Sequence, residues 1–317
     1  MPPTILTNFI STKHDLIKMS FALLNVFGAD EEIGAEDYNF AGRMLNMLVK
    51  NWMDMGYNLW LKKTAYLFTK KNQNTYVLSY SNTDNSTLQY YANTLALNAA
   101  TSATSVTLTS VDNISINDYF GILLDDNDIY WTKVLNIIGN VIYFYAGGAL
   151  PSPATAGAKT YSYTTKLDPP LDIYQGVRND DGLRDIPLNS LSYNEYMNLP
   201  NKIDSTSTPV SYQYDRQLDE TIIRIWPTPD KSDVLLKFII GQKVTNLDQN
   251  SDEADFPDEW QLPIIQKLAV LLAPAYGKNK DQGYANLVQD AAANLAIARA
   301  FDNEVGSVFF QPNVMNS

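Results

Sequence analysis

"DEADFPDEWQLPIIQKLAVLLAPAYG", residues 252–277, sets a cluster of carboxylates directly before a proline, a tryptophan and an apolar run. Acids crowded beside an aromatic ring belong either to a catalytic site or to the start of a helix. The spacing supports the helix. Asp255 is placed to cap, and Pro257 fits a first turn in which its missing N–H has no partner to lose. Asp258 and Glu259 fall where the helix dipole favours negative charge. Trp260, Ile264, Leu268, Leu271, Leu272 and Ala275 then repeat as one apolar face. Pro263 and Pro274 are expected to bend or loosen this helix. A further helix, from about Gln282 to Asn303, turns Tyr284, Leu287, Ala291, Leu295 and Ala298 inward.

The other end of the chain has the same character. Thr12 with Asp15 three residues on resembles a capping box, and Leu16, Met19, Leu23 and Val26 follow at helical spacing. Gly28 is suited to a left-handed stop. After the acidic connection "ADEEIGAED" (29–37), Tyr38, Ala41, Leu45, Leu48, Trp52 and Met55 form a second stripe that Gly56 ends. A stripe of this kind needs a partner helix.

Between the helical ends the period changes to two. "NLWLKKTAYLFTKKNQNTYVLSY" (58–80) alternates apolar and polar residues around the turn "KKNQN". Strand signals return at 171–177 and through "PVSYQYDRQLDETIIRIWPTPDKSDVLLKFIIGQKV" (209–244), with turns at Gln217–Glu220 and Thr228–Ser232. Ile223, Ile225, Leu235 and Phe238 are its expected core. Residues 94–165 differ again. Small residues and Thr/Ser dominate, and short β-like runs recur at 106–110, 119–124, 128–135, 141–145 and 160–165, as in a compact all-β insertion.

The expected fold is therefore α+β. A four-helix-bundle-like domain is built from an N-terminal helix pair (1–60) and a C-terminal pair (257–304). An antiparallel β region (61–93 and 166–256) carries an inserted small all-β module (94–165). An extended docking tail (305–317) follows. In that tail Val308, Phe309 and Phe310 precede Pro312 with no charged residue after Glu304. Two phenylalanines on so short an end favour docking on a neighbour, so these four residues are the candidate partner-binding site.

Composition removes several classes of function. Lys+Arg 23 against Asp+Glu 35 gives a net charge of −12, which opposes tight binding along a nucleic-acid backbone. The lysine pairs at 62–63 and 70–71 read as solvated strand ends. There is no cysteine, so disulfide and thiolate chemistry are absent. The single histidine, His14, sits on the polar side of a helix start, an exposed position rather than the centre of a metal site or a triad. Neither a signal peptide nor an apolar membrane span is apparent.

Chemical motifs are scarce. GxGxxG, Walker A, HExxH and GxSxG patterns do not occur, and no catalytic residue, cofactor or metal site is expected. "LLDDNDIYW" (123–131) holds Asp125, Asp126 and Asp128 but lacks the glycine and glutamate of a calcium loop, so it reads as a turn, with a weak adventitious cation site as the residual option. "RNDDGLRD" (178–185) holds Asp180, Asp181, Asp185, Arg178 and Arg184; paired carboxylates of this kind can run glycoside hydrolysis, but the segment reads as a polar loop with local ion pairs.

The order of segments resembles a known family. "LNMLVKNWMDMGYNLWLKKTAYLFTKKNQNTYVLS" is similar to the opening of the head-to-tail adaptors of short-tailed bacteriophages, the packaged-DNA stabilisation or tail accessory factors. Tyr193, Glu195, Tyr196, Leu199 and Pro200 match an "S..EY..LP" element. Tyr212, Tyr214, Asp215 and Arg216 match "Y.YDRQ", and Trp226, Pro227 and Pro229 match "WPTPD". The helix at 255–277 and the end "ARAFDNEVGSVFFQP" match in turn. The resemblance covers most of the chain and implies a subunit of a ring, dodecameric in the family, bound beneath the portal protein of a virion assembled in the bacterial cytoplasm. Such a ring joins capsid to downstream tail or nozzle proteins and lets double-stranded DNA pass without reading its sequence. Two other classes stay open at this stage. One is a virion-associated peptidoglycan hydrolase using Glu195 or Asp181; the other is a carbohydrate-binding module at 94–165.

Overall fold

The computed structural model describes residues 12–27, 31–55, 62–81, 83–145, 147–180, 184–203, 206–241 and 258–301. The chain divides into two compact units, Met1–Leu61 with Val244–Ser317, and Lys62–Lys243. Among the described residues fifteen strands form three sheets, beside five α-helices.

The first unit is helical. Helix α1 (Lys13–Leu23) opens on the Thr12–Asp15 capping box: the Asp15 amide donates to Thr12 Oγ1 and the Thr12 amide donates to Asp15 Oδ2. The Thr12 hydroxyl, donating to Asp15 Oδ2 at 2.7 Å, and then the Thr12 amide hold the Asp15 carboxyl below its usual range. Its buried face is Leu16, Ile17, Ser20, Phe21 and Leu24; of the expected stripe Leu16 is buried and Val26 packs half-buried on the same core, whereas Met19 and Leu23 are exposed. Ser20 Oγ donates to Leu16 O within α1 and to Ile265 O across to helix α4 (Asp258–Leu272).

Helix α2 (Ala35–Asp54) buries Tyr38, Ala41, Leu45, Leu48 and Trp52 as its spacing required, while Met55 lies past its end and is exposed. Trp52 meets Trp260 of α4 with ring centroids 5.7 Å apart. Along α4, Trp260, Ile264, Leu268 and Leu272 are buried, Leu271 is half-buried, and Ala275 is exposed beyond the helix. The helix continues through Pro263, and Pro274 falls after its end. Asp255 and Pro257 lie outside the described residues.

A four-helix-bundle-like α+β arrangement is overturned: the chain is mostly β-sheet. The helical unit is also not a closed bundle. Helix α4 packs on α1, on α2 and on α5 (Tyr284–Phe301), but α5 makes no comparable contact with α1 or α2. The reason is in its stripe. Among its described side chains, Ala291 and Ala298 alone are fully buried, with Tyr284, Leu287 and Leu295 half-buried, and so narrow an apolar face serves one neighbour.

Among its described residues the second unit is all β apart from one short helix. One sheet has the order β11 (Arg184–Pro187), β10 (Asp172–Asp180), β15 (Leu235–Gly241), β1 (Lys62–Phe68), β3 (Ser86–Thr87). The other runs β12 (Asn189–Leu191), β13 (Ser211–Arg216), β14 (Glu220–Trp226), β2 (Thr75–Ser79). Every pairing is antiparallel except β12 with β13. The two sheets face each other over Leu67, Tyr76, Tyr212, Ile223, Ile225, Leu236, Phe238 and Ile240, a sandwich core. Gly176 on β10 is needed for that approach, because a Cβ there would lie 2.8 Å from the Tyr212 ring and 2.9 Å from the Phe238 ring.

The third sheet has the order β4 (Tyr91–Thr94), β9 (Lys159–Tyr163), β6 (Tyr119–Leu123), β7 (Ile129–Ile138), β8 (Val141–Phe144), β5 (Ser105–Thr107). Its two outer strands meet. Leu95 bridges Leu108, the Ala96 amide donates to Thr107 O, and the Thr109 amide donates to Thr94 O. The sheet is therefore a closed six-stranded barrel, which leaves no free edge. Leu108, Phe120, Ile122, Val134 and Ile142 fill it. The chain enters the barrel just after β3 and returns beside it, where Thr87 Oγ1 donates to Thr165 O at 2.8 Å and the Leu167 amide donates to Ser86 O at 2.9 Å.

Candidate interaction surface

The segment richest in family-like motifs folds along one end of the four-stranded sheet. Ser192 caps helix α3 (Tyr193–Met197), accepting from the Glu195 amide, while Glu195 Oε2 accepts from the Ser192 amide at 2.7 Å. This capping box was legible as S-x-x-E, and it is what makes a helix of only five residues stand. Tyr196 turns inward and is buried against β13. The Arg224 guanidinium lies 5.9 Å from its ring centroid and Lys202 Nζ lies 5.8 Å from it. Arg224 also donates to Gln213 Oε1 at 2.7 Å and pairs with Asp215 at 3.2 Å. Lys202 Nζ closes the turn after α3 by donating to Met197 O and Leu199 O, both at 3.0 Å. The Trp226 indole N–H donates to Asn201 O at 2.9 Å.

The polar and aromatic motif residues thus serve the local fold. Tyr212 packs edge-on to Phe238, and Tyr214 donates its hydroxyl to Leu171 O while burial pushes its pKa up to about 12. Among the polar residues that face solvent here (Ser192, Asn194, Glu195 and Asn198), the apolar side chains of Tyr193, Met197, Ile203 and Val210 are exposed as well. Tyr193 and Met197 stand one turn apart on α3, so they share a face. Sequence reasoning passed over Met197, Ile203 and Val210. Their signal is an apolar residue set among Asn, Pro and Ser in a region with few strand or helix periods.

The other candidate residues resolve as structural. Glu195 is a cap, and the bonds from the Ser192 backbone and side chain hold its carboxyl below the ordinary range, opposite to the raised value a general acid needs. Asp181 lies outside the described residues, as do Val308, Phe309, Phe310 and Pro312 of the tail. Arg178 pairs with Asp180 at 2.9 Å and donates to Pro209 O at 2.8 Å. Asp185 accepts from Asn179 and Lys237, Lys237 first in effect, and its pKa is lowered. His14 is exposed and lies 5.8 Å from the Tyr38 ring. No group of three or more His or acidic side chains among the described residues is placed to hold a metal ion.

The acidic turn 124–128 joins β6 to β7 and clips the barrel to the sandwich. Asp125 accepts from the Thr155 amide and hydroxyl; Asp126 accepts from Ser152 Oγ and the Asp128 amide. Asp128 Oδ1 accepts from Ser232 Oγ at 2.9 Å, and the Ser232 amide donates to Asn127 O. Lys71 adds two bonds, its amide to Ser232 Oγ and its ammonium to Asp126 O. Beneath the clip Phe68 and Leu235 of the sandwich pack with Ile129, Tyr161 and Tyr163 of the barrel, and Trp131 lies 4.9 Å from Phe68.

No helix among the described residues is long and apolar enough to cross a membrane. No protein-family model matches the chain, and no curated protein matches it. Among solved structures, one similar chain is the tailspike of Acinetobacter baumannii bacteriophage AP22, determined in complex with a capsular saccharide. It is 14% identical over 26% of this chain and 16% of the tailspike, with a TM-score of 0.23. This chain spans far less than two thirds of that tailspike, and a likeness of this size fixes neither fold nor function.

Proposed function

We propose that this chain is a structural virion protein, a head-to-tail adaptor that forms a ring beneath the portal. The observation that carries the reading is the α3–β14 region. Its motif residues occur in the family-like order, the polar groups of Glu195, Tyr214, Asp215 and Trp226 find partners within the chain, and Tyr193, Met197, Ile203 and Val210 are left outward. Apolar side chains held out on a braced surface suit docking against another protein. A net charge of −12 suits a wall past which DNA slides without sticking. On this reading the portal, a second copy and the downstream tail proteins are the partners, and Val308, Phe309 and Phe310 reach a neighbour with Pro312 preventing further helix.

The test is assembly on purified portal rings of the same virus, read by averaged electron-microscopy images. The wild-type chain is expected to add a ring of density. Tyr193→Asp with Met197→Asp, and separately deletion of 305–317, are expected to leave the chain folded and to abolish that density. A wild-type chain that stays monomeric with the portal overturns the proposal.

A further inference from the structure

A cleft of about 480 Å³ opens between the barrel and the sandwich. One wall comes from the β1–β2 turn and the loop after β2, with Lys70, Asp84 and Asn85. The other comes from the β6–β7 hairpin, with Asp128, Tyr130 and Trp131. The volume falls within the range of small-ligand sites. The walls are held before any ligand arrives, because the Ser232 clip and the ring cluster under it fix the barrel in place.

The lining has unused hydrogen-bonding capacity of both kinds. Asp84 spends Oδ2 on the Val77 amide, at 2.7 Å, and keeps Oδ1. Asp128 spends Oδ1 on Ser232 and the Ile129 amide and keeps Oδ2. Asn85 uses Oδ1 to accept from the Tyr163 hydroxyl, at 2.8 Å, which leaves its amide N–H groups. Among the described residues the Lys70 ammonium, the Tyr130 hydroxyl and the Trp131 indole N–H are engaged in no hydrogen bond. The cleft therefore offers carboxylate acceptors, amide and ammonium donors, and an aromatic wall.

That combination selects a ligand class. An apolar molecule would strand ionised carboxylates and an ammonium without water. A phosphate or a uronic acid would meet Asp84, Asp126 and Asp128 with one lysine to offset them. A neutral sugar meets every element. Its hydroxyls donate to the carboxylates and accept from Lys70 and Asn85, and its C–H face stacks on an aromatic ring.

We propose that the cleft between barrel and sandwich binds a neutral saccharide. The inference stands on the cleft alone and does not depend on ring assembly. The full-length protein is tested on an array of neutral oligosaccharides (hexose and N-acetylhexosamine tetramers) beside uronic-acid and sialylated ones, and the best binder is titrated by calorimetry. At least one neutral oligosaccharide is expected to bind. Asn85→Asp keeps the acceptor for Tyr163 and removes the amide donor; combined with Lys70→Ala, it should weaken binding at least tenfold with an unchanged melting temperature. Lys70→Ala alone, at an exposed side chain, carries the test if the double variant fails to fold, and a several-fold loss is expected. Absence of binding to every neutral glycan, a preference for the acidic ones, or affinity indifferent to Lys70→Ala overturns the proposal.

Discussion

Gly121 on β6 sits directly opposite Trp131 on β7, and the indole lies across it. A Cβ at position 121 would fall 2.8 Å from Trp131 Cη2 and Cζ3 and 2.9 Å from Cε3. Ordinary carbon contacts need about 3.5–4.0 Å, so Gly121→Ala must move the ring by most of an ångström. Trp131 cannot sink further, because Phe68 and Tyr163 lie beyond it at 4.9 and 5.4 Å between centroids. The ring must lift outward and loosen both pairs. Two aromatic pairs at about 0.5–1.5 kcal/mol each place about 1–3 kcal/mol at risk. Replacing a strand glycine by alanine returns about 0.5–1 kcal/mol. The net expectation is a loss of up to about 2.5 kcal/mol. In a unit of the size of Lys62–Lys243 this lowers the melting temperature by up to about 10 °C. Denaturant unfolding followed by near-ultraviolet circular dichroism reads both the stability and the ring environment. Trp131→Ala supplies the control, because once the ring is gone Gly121→Ala should add no further penalty. A stabilised Gly121→Ala variant, or strict additivity of the two changes, would refute the packing argument.

Three further outcomes follow from the same packing and charge arguments. Gly176→Ala should destabilise the sandwich by about 1–3 kcal/mol through overpacking against Tyr212 and Phe238, read as a lowered denaturant midpoint that Phe238→Leu partly restores. Trp260→Ala, at a fully buried ring beside Trp52, should cost about 3–5 kcal/mol in the helical unit, and an unchanged midpoint would remove α4 from its centre. The Asp185 carboxyl is held below its unfolded value of about 3.9, so its contribution is present above that pH and lost as pH falls through the folded value. Asp185→Asn should therefore flatten the stability–pH profile on the acid side of pH 5, and an identical acid limb in both proteins would show that the Lys237 pair contributes nothing.

Local rules in the sequence transferred well where the partner is a near neighbour. The Thr12–Asp15 box, the "KKNQN" turn and the Tyr38-to-Trp52 stripe all depend on residues a few positions apart. The same capping rule lay unread at Ser192 and Glu195, where an acid beside tyrosines suggested chemistry more readily than a five-residue helix. The phase of α1 was legible in part, at Leu16 and Val26: Met19 and Leu23 fit the helical period as well as Ile17 and Phe21 do, and α4 decides which of them are covered. Barrel closure depends on Leu95 meeting Leu108, and the clip on Asp128 meeting Ser232 across 104 residues. Neither leaves a periodic trace. The apolar surface on α3 was hidden for the opposite reason, since single exposed apolar residues are ordinary and only their common placement gives them meaning.

The neck of the barrel has a mechanical consequence. Chain enters and leaves at adjacent points, tied by Thr87 to Thr165 and Ser86 to Leu167, with the Ser232 clip as a separate tether. A force pulling the barrel away is carried by this two-strand stalk, by that clip and by the ring cluster of Phe68, Leu235, Ile129, Tyr161 and Tyr163 beneath it, while the ladders of the barrel itself stay unloaded. Under tension the expected order is that the clip and the ring cluster beneath it part before the ladders, after which the barrel swings on its stalk as an intact body. It unravels only when the pull reaches the closing contact between Leu95 and Leu108.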